Sequence, residues 1–220
     1  MTKHKTFIAT RWLAVAVLLI TGCQEKPASE STLPFYGTAD LTPEWVAADD
    51  PAYPSLHRIA DFSFINQDGN TITSADFDER IYVANFFFVR CTQICPTMRT
   101  NLSKIQAAYA DDEEVLLLSH SVMPEADTVP MLQKYAQLNG VVSGKWHLVT
   151  GSRTAIFEQA QASYLVDLEA DTASGLVHSE TFVLIDQQRR IRGIYNGTLA
   201  FDVQRLIEDI ALLKEAQPIG

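Results

Sequence analysis

The run Ile81–Val89 reads Ile-Tyr-Val-Ala-Asn-Phe-Phe-Phe-Val, with no charge and many aromatic and β-branched side chains. A segment of this kind is a strand buried on both faces, and such strands sit in sheets that carry helices. It empties directly into Cys91 and Cys95, which is followed by Pro96. Proline fits the first turn of a helix, where its missing N–H is not needed. A strand end that leads into a helix N-terminus is where open α/β sheets usually place their chemistry.

The neighbouring segments complete the pattern. Phe62 and Phe64 alternate with polar residues before the turn Gln67-Asp68-Gly69-Asn70, which predicts an N-terminal hairpin. Met98, Leu102, Ile105 and Tyr109 recur at helical spacing after the cysteines. Val115–Val122 is a second buried strand. Asp127 or Thr128 is placed to cap a helix reaching Leu138, with Gly140 just beyond it. Trp146–Thr150 is a short strand, and Ser152 opens a helix with Ile156, Phe157 and Ala160 inward. Thr181–Asp186 and Ile191–Tyr195 form a second hairpin around a polar turn, in which Arg189, Arg190 and Arg192 read as solvated. Asp202 is placed to cap a last amphipathic helix that carries Val203, Leu206, Ile207, Ile210 and Leu213. Strand–helix units followed by a hairpin and a terminal helix predict an α/β sandwich: a mixed central sheet flanked by helices, with an N-terminal hairpin extension.

The N-terminus is an address. Lys3, His4, Lys5 and Arg11 precede an uncharged stretch, Trp12–Ile20, which is too short to span a bilayer and fits a secretory signal. Leu19-Ile20-Thr21-Gly22-Cys23 resembles a bacterial lipobox, which implies cleavage before Cys23 and acylation of its thiol. Residues 1–22 are then the signal, and 23–54 a lipid-anchored tether with Pro27, Pro34, Pro43 and Pro51. Phe35, Tyr36, Trp45 and Val46 are apolar enough for part of this tether to dock. The folded domain spans 55–216, held at the membrane by the lipid and facing the periplasm or extracytoplasmic side. The chain has 17 basic and 27 acidic residues and a net charge of −10, which argues against nucleic acid as a partner.

Chemistry concentrates on three residues. Cys91 and Cys95 are four apart, so a helical turn would bring them onto one face, near enough for a disulfide. A helix N-terminus and Arg90 give reasons to favour thiolate. Two thiolates are soft ligands and select copper, above all Cu(I), and three cysteines in all are too few for a four-cysteine cluster. A third ligand must come from elsewhere. His4 leaves with the signal, His57 precedes the first hairpin, and His120 and His147 lie within strands. His178 differs: it sits in Gly175–Glu180, a loop before a buried strand.

The segments FFFVRCTQICPTM, SHSVMPEADTVPMLQKYA, WHLVTG and HSETFVLIDQQRRIRGIYNGT, within a stretch from about Ile59 to Leu213, resemble the Sco/SenC family. The resemblance implies a thioredoxin-like fold and a membrane-tethered copper protein that helps assemble the copper site of cytochrome c oxidase. The family's metal-binding cysteines map onto Cys91 and Cys95, and its ligand histidine onto His178. The implied partners are a cytochrome oxidase copper-site subunit or another cuproprotein, and a copper donor or thiol reductant protein. Two departures stand out: Thr92 replaces the proline often found after the first cysteine, and Met123 replaces an aspartate. Met123 reads as a packed side chain or, less favourably, a weak thioether ligand.

Three readings of the cysteine pair follow. One is a copper metallochaperone using Cys91, Cys95 and His178. Another is a thiol–disulfide oxidoreductase using the Cys91–Cys95 pair on partner cysteines. The plainest is a structural Cys91–Cys95 disulfide, which would close too short a loop to stabilise much.

Overall fold

Every residue of Ile81–Phe87 is buried in the computed structural model, which describes residue 2 and residues 33–170 and 177–216. Cys23, the signal and the first part of the tether lie outside the described residues.

Among the described residues the strands are β1 (Phe35–Tyr36), β2 (Pro43–Glu44), β3 (Ser63–Asn66), β4 (Thr71–Thr73), β5 (Ile81–Phe87), β6 (Val115–Ser121), β7 (Trp146–Thr150), β8 (Glu169–Ala170), β9 (Val177–His178), β10 (Thr181–Ile185) and β11 (Ile191–Asn196). Nine of them form one sheet in the order β2-β1-β11-β10-β5-β6-β7-β3-β4, and β8 pairs with β9 apart from it. β5, β6 and β7 run parallel, whereas β10 pairs antiparallel with β5. The helices are α1 (Cys95–Ala108), α2 (Val129–Asn139), α3 (Arg153–Glu158) and α4 (Ala200–Glu215). None of these is long and apolar enough to cross a membrane.

The pleat of β5 divides the core. Tyr82, Ala84 and Phe86 face a cluster with Phe62, Phe64, Phe77, Ile156 and Tyr164. Ile81, Val83 and Phe87 face the other side, with Met98, Leu102, Leu132, Leu206 and Ile210 from α1, α2 and α4. Alternation along the strand therefore serves both layers, as a two-face-buried strand requires. Each large apolar side chain so buried contributes roughly 1.5–3 kcal/mol.

Several sequence expectations hold. The hairpin pairs Phe64 with Ile72, Pro96 lies in the first turn of α1, and the Ser152 side chain accepts a hydrogen bond from Ala155 N–H. Gly140 follows α2 with φ of 68°, a left-handed conformation that glycine adopts without penalty. Others need correction. Thr128 stands at the start of α2 without a side-chain cap bond, and Asp127 is turned to another task. Leu199 occupies the cap position of α4, while Asp202 lies in its first turn and accepts the Asn196 N–H.

The expected tether is in part sheet. From Leu33 the chain enters β1, which pairs with β11 through Tyr36 and Ile191, and Phe35 is buried. Trp45 remains largely exposed. The arginines of the last hairpin explain the docking, and they are not a solvated turn. Arg192 binds the Leu33 and Pro34 carbonyls, lies 4.0 Å from the Phe35 ring centroid and pairs with Asp186 at 3.1 Å. Arg190, 5% exposed, stacks 3.9 Å from the Tyr53 ring centroid. Cation–π contact takes the place of hydrogen bonds for part of this guanidinium, since Nε and Nη1 have none.

Candidate functional site

β5 ends at Phe87, and a tight turn closes where the Cys91 N–H donates to the Phe88 carbonyl at 3.2 Å. Cys95 is the first residue of α1, and its backbone N–H points at Cys91 Sγ, 3.4 Å away. Cys91 lies outside the helix, so the expected helical turn through both cysteines is not formed, and the turn itself brings Cys91 Sγ to the start of α1. Cys91 is half-buried, whereas Cys95 is 7% exposed. Both are free thiols in this structure, so the expected Cys91–Cys95 disulfide is not formed here.

The electrostatics of Cys95 differ from expectation. Burial, then the hydrogen bond and charge of Cys91, push its thiol up to about 12. Desolvation outweighs the helix N-terminus there, because removing a thiolate from water costs more than a partial charge returns. Behind Cys95 lies a narrow pocket lined by Asn85, Met98, Arg99, Tyr135 and Trp146. Burial raises the Tyr135 phenol to about 12 as well; Arg99 opposes this, while Cys95, Cys91 and Asp127 add to it.

A buried carboxylate fixes the cysteine turn. Asp127 is 2% exposed, and its Oδ2 accepts the Ser121 hydroxyl at 2.6 Å and the Val89 N–H at 3.1 Å. Burial pushes its pKa up against the opposing effect of these two bonds. The loop after β6 is tied in further, through Val122 N–H to the Phe87 carbonyl at 2.9 Å and Arg153 to the Val122 carbonyl at 3.2 Å. Met123 packs against the same core cluster as Cys91, consistent with a packing role. Glu125 meets Arg153 at 3.8 Å on the surface, a contact of little energetic weight.

The strand histidines are packed as expected, but His178, expected in a loop, lies in a short strand of its own. His120 is fully buried among Phe62, Phe64, Phe86 and Tyr164, with neither ring nitrogen hydrogen-bonded. Burial pulls its pKa down to about 3. His147 is also buried, and its pKa is lowered for the same reason. His57 Nε2 lies 2.7 Å from the Ser163 carbonyl. His178 ends β9, its backbone paired with Glu169, with Ser179 and Glu180 between it and β10. Val183 of β10 stands opposite Ala84 and Ile185 opposite Tyr82, so β10 begins beside the end of β5. The His178 backbone and both cysteines therefore reach the same end of the sheet.

The sequence reading missed a group at that end: Asn101, Glu180 and the turn Asn196-Gly197-Thr198. Polar residues of these types carry no periodic signal. Asn101 alone gave a hint, as an amide on the inward face of α1.

Comparison with known proteins gives the family. The family model described as SCO1/SenC matches residues 52–215. A Bacillus subtilis protein described as a SCO1 protein homolog is 27% identical over 160 residues, covering 71% of this chain and 83% of that protein. The crystal structure of a SCO1/SenC family lipoprotein from Bacillus anthracis superposes with a TM-score of 0.66 at 27% identity, over 72% of this chain and 95% of that one. BsSco, described as having a disulfide switch and as a member of the Sco family of cytochrome c oxidase assembly proteins, gives 0.65 at 25% identity, over 73% and 95%. Arabidopsis thaliana ScoI, solved with copper bound, gives 0.58 at 24% identity, over 71% and 98%, a likeness of fold. The mixed sheet with flanking helices is thus the thioredoxin-like fold of the Sco structures, and the chain belongs to the SCO1/SenC family.

Proposed function

We propose that this chain is a copper-binding assembly factor for a respiratory oxidase, and that it carries copper as cargo between Cys91, Cys95 and His178. One observation carries the reading. The cysteine turn follows the end of β5, and the strand that comes after His178 begins beside that end; the family match, which spans the domain, supports the reading as well. The donor set suits the cargo. Two thiolates and a neutral imidazole favour Cu(I), and ligand exchange with a partner of similar donors would pass it on. The recipient is the copper-site subunit of a cytochrome oxidase. Attachment through a lipid on Cys23 would keep the domain at the membrane, on its periplasmic or extracytoplasmic side. The description of the Bacillus anthracis relative as a lipoprotein supports this.

The test is anaerobic titration of the reduced full-length chain, in detergent, with Cu(I) against a calibrated chelator. One equivalent bound tightly, and weakened in both Cys91→Ser and His178→Ala, is expected. Binding that ignores both substitutions would refute the site.

The unequal burial of the cysteines favours a second role. Cys91 is the reachable sulfur and Cys95 the covered one. In thiol exchange the Cys91 thiolate would attack a partner disulfide and release one partner thiolate. Cys95, losing its proton, would then attack Cys91 Sγ in the mixed disulfide. The second partner thiolate would leave, so the partner gains two electrons and Cys91–Cys95 becomes a disulfide. A Cys91–Cys95 reduction potential well above that of the partner disulfide would exclude this role, because electrons would then flow the other way.

A further inference from the structure

His178 reaches the cysteine end of the sheet on a segment that has its own supports. Glu180, two residues further on, is bonded to the turn after β11. Its carbonyl accepts the Gly197 N–H at 2.6 Å, and its Oε2 accepts Asn196 Nδ2 at 2.7 Å and the Thr198 hydroxyl at 3.4 Å. Between the two, Ser179 Oγ accepts the Thr181 N–H at 3.2 Å. The other side of Gly197 belongs to α1, where Asn101 Nδ2 donates to the Gly197 carbonyl at 2.8 Å. One residue therefore bonds the His178 segment through its N–H and the Cys95 helix through its C=O.

The residue types at this junction are specific. Asn101 is 3% exposed on a helix face that otherwise turns Met98, Leu102 and Ile105 inward. A buried amide is costly unless bonded, so the bond to Gly197 accounts for an asparagine at this position. Its Oδ1 is satisfied as well, by Lys104 Nζ at 2.9 Å. At Gly197 a Cβ would stand 2.5 Å from Cε1 of Phe182, a ring that is fully buried in β10. Only glycine lets the turn lie this close to the strand that follows His178.

We propose that Asn101 and Glu180 are positioning residues for copper binding, and that the Asn101–Gly197–Glu180 bridge sets where the His178 segment stands relative to the helix that opens with Cys95. The proposal rests on the reading of His178 as a ligand. An α-helix is stiff over the six residues from Cys95 to Asn101, so a bond at Asn101 registers both cysteine and histidine against one body. The histidine then joins the two sulfurs without first ordering its own segment, and an ordering cost is removed from binding.

The test is a double-mutant cycle read in Cu(I) affinity, by chelator competition with the reduced full-length chain in detergent. Asn101→Ala should weaken Cu(I) binding roughly fivefold when His178 is present, the worth of one ordinary hydrogen bond, and less than twofold in His178→Ala. Glu180→Ala, a change at an exposed residue, removes the Oε2 bond to Asn196 and keeps the carbonyl bond to Gly197, so it should act in the same direction, more weakly, with the same dependence on His178. The Cys91–Cys95 reduction potential of the copper-free variants should stay at the wild-type value. Equal losses with and without His178, no loss with it, or a shifted potential would each overturn the proposal. If His178→Ala alone leaves copper binding unaltered, the ligand reading fails instead, and that result is distinct from the others.

Discussion

His120 makes the stability of this domain depend on pH in a calculable way. Its ring is wholly buried, neither nitrogen is hydrogen-bonded, and burial lowers its pKa from 6.5 to about 3. The folded state therefore holds it neutral while the unfolded chain takes up a proton. Stability from this residue is complete above pH 6.5 and is lost as the pH falls below that value, with the loss continuing down to about 3. Between pH 7 and 5 the loss comes to about 2 kcal/mol, a large share of what a domain of this size has to spare. His147, also lowered by burial, adds to the loss, whereas Asp127, raised by burial, opposes it. His120→Phe is the natural comparison, because the site is already lined by Phe62, Phe64, Phe86 and Tyr164. Urea unfolding of both proteins at pH 7, 6 and 5 and fixed ionic strength isolates the residue, since shared effects cancel in the difference. The gap between variant and wild type should widen in favour of the variant by about 2 kcal/mol from pH 7 to 5. Parallel pH profiles would refute the reasoning.

Four other outcomes follow from the same contacts. In Cys91→Ser the remaining Cys95 should react with iodoacetamide at pH 8 more than about tenfold slower than Cys91 does in Cys95→Ser, followed by mass spectrometry, because burial is the first cause of its raised pKa. Asp127→Ala leaves the Val89 N–H and the Ser121 hydroxyl without their acceptor and should cost about 1–3 kcal/mol in urea unfolding. Arg192→Ala removes the ion-pair partner of the buried Asp186, whose Oδ1 keeps two backbone N–H bonds, and frees the Leu33 and Pro34 carbonyls; a loss of about 3 kcal/mol is expected, with faster proteolytic cleavage in residues 33–53. Gly197→Ala forces a methyl group against Phe182 and should cost about 1–3 kcal/mol by thermal unfolding.

The parts of the fold governed by burial were legible in the sequence. The uncharged run of β5, the alternating hairpin and the helical spacing of α1 and α4 record which side chains face a core, and pattern reports that directly. Cys91 and Cys95 were legible because spacing and a following proline constrain local geometry. Polar side chains were less so. Asp127 looks like a helix cap from its position, yet it serves a backbone N–H that is 38 residues away in sequence. Arg190 and Arg192 look solvated because charge in a turn usually is, and the rings of Phe35 and Tyr53 and the Leu33 and Pro34 carbonyls, arriving from the far N-terminal side, together with Asp186, make burial tolerable. Asn101, Gly197 and Glu180 meet across 96 and 17 positions, a separation that no local pattern encodes. The thiol of Cys95 was misjudged for a related reason: the helix start is visible in sequence, but the depth of its burial is not.

The arginine clamp also fixes how the chain from Leu33 onward meets the sheet. Under the proposed attachment at Cys23, nine residues separate the lipid from Leu33, an extended reach of about 30 Å at most. The chain then enters the sheet at β1, beside β11, where Arg192 binds the Leu33 and Pro34 carbonyls. Without β1 and β2, β11 would be an open edge, a surface prone to pairing with other chains. Under the same attachment, the two strands that cover this edge would take up a pull from the membrane. β5, which delivers the cysteine turn, lies inside the sheet with β10 and β11 between it and β1. Under that attachment, force in the tether would reach the clamped edge strands first, while the thiols and the His178 segment are referenced to α1 and β10. If the chain hands copper to a membrane-bound recipient as proposed, this division serves it, because the domain must then move as a body while its donor atoms keep their places.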